Sequence, residues 1–142
     1  MIKKIKQLYL KYQEIINYLI FGILTTLVSL ATYYLLVLTI LNPNKPIELQ
    51  IANIISWITC VTFAYITNRK YVFKSNNQNI LKEMFKFYSS RLTTLLIDML
   101  FMYLFVTKLQ FNDKIIKIIV QILIIIINYL LSKILVFKQK NK

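Results

Sequence analysis

Four apolar runs, each of 20 or more residues, constrain this chain more than any other feature of its sequence. They cover roughly residues 17–41, 47–67, 84–107 and 115–137, and short polar segments separate them. At about 1.5 Å per residue, a helix over each run is long enough to cross the ~30 Å hydrocarbon core of a bilayer. The runs do not alternate polar and apolar residues as barrel strands do. The sequence therefore predicts a single all-α integral membrane domain with four transmembrane helices.

The composition excludes several classes of soluble protein. Of the 142 residues, 58% are hydrophobic, more than a soluble domain of this length can bury. A nucleic-acid binder would fit the net charge of +13 but not this apolar fraction. The chain has no His and a single cysteine, Cys60, which leaves no His-based acid–base catalysis, disulfide framework or Cys/His metal site. We therefore expect no enzymatic activity, no metal and no cofactor.

Lysine and arginine are distributed unevenly between the segments that flank the apolar runs. Cytoplasmic segments of membrane proteins carry an excess of these residues. The uneven distribution predicts that both termini face the cytoplasm and that the two short loops lie outside. We expect the membrane to be the plasma membrane of a prokaryote, because the Ile-, Lys- and Asn-rich composition is typical of AT-rich prokaryotic genomes. Thirteen basic residues lie on the cytoplasmic side (Lys3, Lys4, Lys6, Lys11, Arg69, Lys70, Lys74, Lys82, Lys86, Lys133, Lys138, Lys140 and Lys142) and four outside (Lys45, Lys108, Lys114 and Lys117).

Residues 1–16 precede the first run and have a different pattern. Apolar side chains recur there at helical spacing with lysines between them, which predicts a short amphipathic helix on the anionic inner leaflet. The apolar positions are Ile2, Ile5, Tyr9, Tyr12 and Ile16. A signal peptide is the competing interpretation. It fits less well, because the apolar run that follows is too long and has no small-residue cleavage site.

The second and fourth runs end in a similar way, which indicates an internal repeat. Residues 63–74 align with residues 127–138, with identical Tyr, Val, Phe and Lys positions, and Arg69 aligns with Lys133. Each half would then be a two-helix hairpin, and the two halves would be parallel repeats about an axis along the membrane normal. Chance similarity between apolar helices is the alternative. It stays open for the first and third runs, whereas a true repeat is favoured for the basic ends.

The third run contains two charged residues, Arg91 and Asp98. A charge at the centre of a membrane helix costs about 2.5–3.5 kcal/mol on insertion scales, so such residues usually face the bundle interior. Seven residues apart, the two share one helix face, about 10.5 Å apart along the axis. In the functional interpretation Arg91 binds a phosphate and Asp98 accepts hydrogen bonds from hydroxyls. In the alternative, Arg91 reaches the headgroups and Asp98 is a structural partner for another helix.

Uncharged polar residues within the runs, and basic residues at their ends, are further candidates for substrate binding. Stripes on the second and fourth runs would line a groove in the functional interpretation, whereas close helix packing is the alternative. Asn68 and Arg69, with Lys133 at the aligned position, would offer donors to a lipid phosphate, and the alternative is membrane anchoring by basic residues. The stripes consist of Asn53, Ser56, Cys60 and Thr67, and of Lys117, Gln121, Asn128 and Ser132.

Together these residues resemble the GtrA-like family of four-helix membrane proteins over residues 17–138. The resemblance implies a role in cell-surface polysaccharide or teichoic-acid glycosylation, in which a polyprenyl-phosphate-linked sugar is carried from the inner to the outer leaflet. Glycosyltransferases would be possible partners. The motifs that carry the resemblance are Phe21–Gly22, residues 52–56, residues 68–73, Arg91 through Asp98, Asn128–Tyr129, Lys133 and Val136–Phe137.

For a polyprenyl-phosphate-linked sugar, the resemblance implies separate roles for the candidate binding residues. Arg91, with Arg69 or Lys133, would hold the phosphate, and Asp98, Gln121 and Asn128 would hydrogen-bond the sugar. Four short helices make a thin bundle, so we expect a homodimer to form a groove wide enough for the sugar. Two other functions are open: a small proton-coupled cation or drug exporter that uses Asp98, and a non-transporting scaffold for a glycosyltransferase. Arg91 beside Asp98 argues for an anionic substrate and so against the exporter.

Overall fold

The structure is a computed structural model, and it describes residues 1–138. Four α-helices and three short π-helical segments make up the regular structure of residues 1–138, and these residues contain no strand. The π-helical segments are Asn68–Val72, Tyr103–Lys108 and Ser132–Val136. The predicted all-α membrane fold is confirmed, because all four helices are long and apolar enough to cross a membrane. Lys140 and Lys142, counted above in the basic C-terminal end, lie outside the described residues. The helices are α1 (Ile2–Thr39), α2 (Pro46–Thr67), α3 (Ile80–Met102) and α4 (Asp113–Leu131).

Helix α1 is longer than the predicted first span, which began at Asn17. It starts at Ile2 and has 38 residues, about 57 Å at 1.5 Å per residue and well beyond the ~30 Å hydrocarbon core. Residues 2–16 contain no Gly or Pro to end a helix. The backbone leaves helical geometry only at Tyr12 (φ −111°, ψ 17°). The N-terminal amphipathic segment is therefore joined to the first membrane span through a bend.

Polar side chains fix the starts of α3 and α4 earlier than hydropathy indicated. The Asn79 side chain accepts a hydrogen bond from the Lys82 N–H, and the Asn112 side chain accepts from the N–H groups of Lys114 and Ile115. These contacts satisfy donors that a helix start leaves unpaired. Hydropathy placed the starts at residues 84 and 115, because the polar first turns do not register as membrane-spanning.

Helix α2 begins at Pro46, whose fixed φ suits the first turn of a helix. Just before it, the Asn42 N–H donates to the Glu48 carboxylate at 2.6 Å, and the Lys45 ammonium donates to the same carboxylate at 2.9 Å. The hydrogen bond to Glu48 raises the pKa of Lys45. The short loop between α1 and α2 is thus tied to the start of α2.

The chain divides into two compact units, Met1–Lys74 and Ser75–Lys142. In unit 1, α1 packs against α2, and in unit 2, α3 packs against α4. The division falls between the two halves of the predicted repeat.

Both units end in the same backbone structure. Helices α2 and α4 each continue into one wider turn of π-helix, over Asn68–Val72 and Ser132–Val136. The Phe73 N–H donates to the Asn68 carbonyl at 2.9 Å, and the Phe137 N–H donates to the Ser132 carbonyl at 2.8 Å. Both phenylalanines, and the valine before each, are buried. The two aligned ends thus share this backbone structure, although α3 also ends in a π-helical turn, over Tyr103–Lys108. What sets the aligned ends apart is the buried Val-Phe pair.

Candidate functional site

The third and fourth helices are joined by an ion pair. The Lys117 ammonium donates to both carboxylate oxygens of Asp98, at 2.9 and 2.7 Å. The Asp98 side chain is 20% exposed and the Lys117 side chain is 49% exposed. Desolvated charges are tolerated in such a helix pair when they are partnered. Asp98 therefore has its cationic partner on α4.

The sequence did not identify Lys117 as this partner, because it was counted among the basic residues beside the outer loops. Arg91 was placed about 10.5 Å from Asp98 along the helix axis. The ion pair is the arrangement described by the alternative interpretation, in which Asp98 is a structural partner for another helix. In the structure the Arg91 guanidinium lies over the Phe87 ring, with its carbon 4.6 Å from the ring centroid. Cation–π contact of this kind stabilises a partly desolvated guanidinium. The polar stripe that begins with Lys117 on α4 was the signal that pointed to α3.

A second polar contact joins the same two helices. The Thr94 hydroxyl donates to the Asn128 side-chain oxygen at 2.9 Å, and Thr94 is buried. Sequence reasoning selected Asn128 but missed Thr94. Thr94 precedes Asp98 by four residues and so lies on the same face of α3. We call Thr94, Asp98, Lys117 and Asn128 the α3–α4 polar cluster.

Only Asp98 and Asn128 of the eight predicted site residues belong to this cluster, and two of the other six make no side-chain hydrogen bond to a described residue. These two are Gln121 and Asn53, and both are exposed. Gln121 follows Lys117 by four residues, so the two share a face of α4. Asn53 lies on α2, in the other unit.

The predicted phosphate-binding residues at the ends of α2 and α4 differ in their surroundings. The Lys133 ammonium lies 5.6 Å from the centroid of the Tyr129 ring and donates to its hydroxyl oxygen at 3.4 Å. Lys133 is exposed, whereas Arg69 is half-buried. Asn68 is buried, and its amide nitrogen donates to the Ala64 carbonyl at 2.6 Å. The amide of Asn68 thus stabilises its own helix end and is not presented at the surface.

Two buried oxygens occupy aligned positions at these helix ends. The Asn68 side-chain oxygen and the Ser132 hydroxyl have no hydrogen-bond partner among the described residues. Both residues begin the π-helical turns. Such turns are often found at functional sites, and an unpaired buried polar atom carries a free-energy cost.

Glu83 is a buried acidic residue that was not among the candidates predicted from the sequence. It is 1% exposed, and its carboxylate accepts a hydrogen bond from the Ser75 hydroxyl at 2.7 Å. The spacing along the sequence could have indicated this burial, because Glu83 belongs to a stripe of buried α3 residues spaced by three or four. That stripe is Glu83, Phe87, Ser90 and Thr94.

A family described as GtrA/DPMS, transmembrane domain, matches residues 17–137. The chain is 39% identical over 128 residues to the uncharacterized membrane protein YwcD of Bacillus subtilis, covering 88% of this chain and 97% of YwcD. It is 36% identical over 131 residues to the cell wall teichoic acid glycosylation protein GtcA of Listeria monocytogenes, covering 90% and 87%. GtcA of Listeria innocua gives the same identity and coverage. No solved structure matches.

Together with the four apolar helices, these similarities make the chain a multi-pass protein of a bacterial plasma membrane.

Proposed function

Because the chain belongs to the GtrA/DPMS transmembrane-domain family, we propose that it acts in cell-surface glycosylation by moving a polyprenyl-phosphate-linked sugar across the plasma membrane. The observation that carries the proposal is the similarity to GtcA, named for teichoic acid glycosylation, along 90% of the chain. The family resemblance noted in the sequence is confirmed. The transport step goes beyond the name of that relative and rests on the chemistry of unit 2.

The α3–α4 polar cluster has the chemistry to bind a sugar inside an apolar helix pair. A sugar head exposes many hydroxyls, each able to donate and to accept. The cluster offers a carboxylate as acceptor, an ammonium as donor and an amide as both. Asp98 and Lys117 cancel in charge at contact distance, so the cluster suits a neutral, hydroxyl-rich group.

The same ion pair argues against the cation exporter. An exporter of lipophilic cations needs a membrane carboxylate that the cation itself can neutralise. Both oxygens of Asp98 already accept hydrogen bonds from Lys117. A cation would have to displace an ammonium that is covalently tethered nearby, which costs affinity.

The phosphate of the carrier lipid would be bound in unit 2 by Arg91 and Lys133. Stacking on Phe87 occupies the face of the Arg91 guanidinium, whereas its N–H donors lie in the guanidinium plane and suit phosphate oxygens. Lys133 is exposed near the end of the spanning segment Asp113–Val136, at the depth of lipid headgroups. Arg69 occupies the aligned position in unit 1.

The experiment compares cells that carry the native gene, no gene, an Asp98→Asn variant or an Asp113→Asn variant. Asp113→Asn is the matched control, because Asp113 is exposed at the start of α4. We expect that cells without the gene, and Asp98→Asn cells, lose sugar from the wall polymer and accumulate the lipid-linked sugar in the inner leaflet. Asp113→Asn cells should resemble the native strain.

The scaffold alternative gives a different result. If the protein only recruits a glycosyltransferase, cells without the gene would lack the lipid-linked sugar itself and would not accumulate it. That outcome would overturn the transport proposal while leaving a role in glycosylation.

A further inference from the structure

Residues 2–16 form a helix with one apolar face and one basic face. At about 100° per residue, seven apolar side chains fall within an arc of about 140°, and Leu10 alone among the apolar residues lies outside it. The lysines of this segment all lie outside the arc. The seven are Ile2, Ile5, Leu8, Tyr9, Tyr12, Ile15 and Ile16, and the lysines are Lys3, Lys4, Lys6 and Lys11. We call the seven the N-terminal apolar face.

The rest of the described chain leaves much of this face uncovered. Ile2, Ile5 and Leu8 are 83%, 62% and 62% exposed. A contiguous apolar surface of this kind on a helix bordered by lysines requires a partner, because water is a poor environment for it.

The position of the segment brings it to the membrane surface. Helix α1 is well over the length that the hydrocarbon core requires, so its N-terminal part extends beyond that core. The family match begins at residue 17, which leaves the segment outside the shared domain. The non-helical geometry of Tyr12 provides a bend at which residues 2–11 can turn from the membrane normal into the membrane plane.

Contacts within unit 1 join the segment to the basic end of α2. The Tyr9 hydroxyl donates to the Asn17 side-chain oxygen, and the Asn17 amide donates to the Tyr71 carbonyl, both at 3.4 Å. The Tyr71 ring stacks on Phe21, with centroids 5.1 Å apart, and lies beside the Lys70 ammonium. Basic residues of the segment and of the π-helical turn thus belong to the same end of unit 1.

We propose that residues 2–16 form an interfacial anchor in which residues 2–11, before the bend at Tyr12, lie in the membrane plane. Their apolar side chains enter the headgroup boundary, and their lysines bind anionic phospholipid. Lys4 and Lys6 border the apolar arc, from which lysine stems reach phosphates while their methylenes stay in the apolar layer. The alternative is that the same segment of a second copy covers the N-terminal apolar face. The four lysines on each copy would then repel one another, whereas an anionic leaflet attracts them. The anchor does not depend on the transport proposal.

The test uses the full chain with Cys60→Ala and one new cysteine carrying an environment-sensitive fluorophore. Ile5→Cys places the fluorophore near the centre of the apolar face, and Gln7→Cys, the matched control, places it on the opposite face; both native residues are exposed. The proteins are reconstituted in nanodiscs of phosphatidylcholine, with or without phosphatidylglycerol. Quenching by aqueous iodide and by brominated lipid chains is then measured.

With phosphatidylglycerol, iodide should quench the Ile5→Cys label several-fold less than the Gln7→Cys label, and brominated lipid should quench it more. High salt, or replacement of the four lysines by glutamine, should reduce this difference. Equal iodide quenching of both labels in anionic nanodiscs would overturn the proposal, because the segment would then extend into water. Protection of the Ile5→Cys label that ignores lipid charge but requires two copies per nanodisc would overturn it in favour of self-association.

Discussion

Removing one member of the Asp98–Lys117 ion pair should cost more stability when the carboxylate is left behind than when the ammonium is. Lys117 lies four residues after the start of α4 at Asp113, about 6 Å along the axis, and its long stem can carry the ammonium to the headgroups. Asp98 lies ten residues before Lys108, where its spanning segment ends, or about 15 Å along the axis. The short side chain of Asp98 cannot cover that distance.

The loss in the free energy of unfolding depends on how deeply the two charged groups are buried. Breaking a buried ion pair by removing one partner costs about 3–5 kcal/mol, and a charge at the helix centre costs about 2.5–3.5 kcal/mol on insertion scales. Because Lys117 is 49% exposed, we discount these values to about 2 kcal/mol for Lys117→Met. Asp98→Asn should cost less than about 1 kcal/mol, since the freed lysine moves to the interface. The double variant should resemble Asp98→Asn alone, so the coupling energy equals the cost of Lys117→Met, about 2 kcal/mol in magnitude.

The assay is unfolding of the purified protein in bicelles, followed by circular dichroism for the native chain, both single variants and the double variant. Lys114→Met is the matched control, because Lys114 is an exposed lysine one turn before Lys117 on α4. Its effect should stay within about 0.5 kcal/mol. Equal costs for the two single variants, or a double variant equal to the sum of the singles, would refute the reasoning.

Two further predictions concern the packing of the units. Thr94→Val should lower the free energy of unfolding by about 1 kcal/mol, because it removes the hydrogen bond to Asn128, while Thr94→Ser should retain most of it; full stability of Thr94→Val would exclude this contribution. Phe73→Ala and Phe137→Ala should each cost about 3–5 kcal/mol and should agree within about 1 kcal/mol, since the two rings are buried alike. The comparison uses thermal unfolding, and a large difference between the two would show that the aligned ends are not energetically equivalent.

The four spans could be predicted from the sequence because twenty consecutive apolar residues have few alternatives to a membrane helix. The helix starts could not, because the side-chain hydrogen bonds of Asn79 and Asn112 act over polar turns that hydropathy places outside the span. The π-helical turns at the ends of α2 and α4 had a sequence signal only in the repeat itself. Their backbone hydrogen bonds span five residues, and no composition rule indicates this spacing.

The candidate site could be predicted in part. Asp98 was identified by its charge inside an apolar run, but its partner was not, because a lysine near a helix end is ordinarily an anchor. To pair Lys117 with Asp98, one must know in which direction the long lysine side chain extends. The spacing of residues in the sequence does not give that direction. Glu83 was missed for a related reason, since its burial depends on the face of α3 that packs inward.

The proposed function of this chain is to move a polyprenyl-phosphate-linked sugar between leaflets. The most direct measurement reconstitutes the native protein and Asp98→Ala in liposomes that carry a defined polyprenyl phosphosugar in one leaflet, and follows its arrival in the other. We expect the sugar to arrive faster with the native protein than in protein-free liposomes, and to arrive at the protein-free rate with correctly inserted Asp98→Ala. Arrival at the protein-free rate with the native protein would contradict the transport claim, and undiminished arrival with Asp98→Ala would contradict the role of the α3–α4 polar cluster.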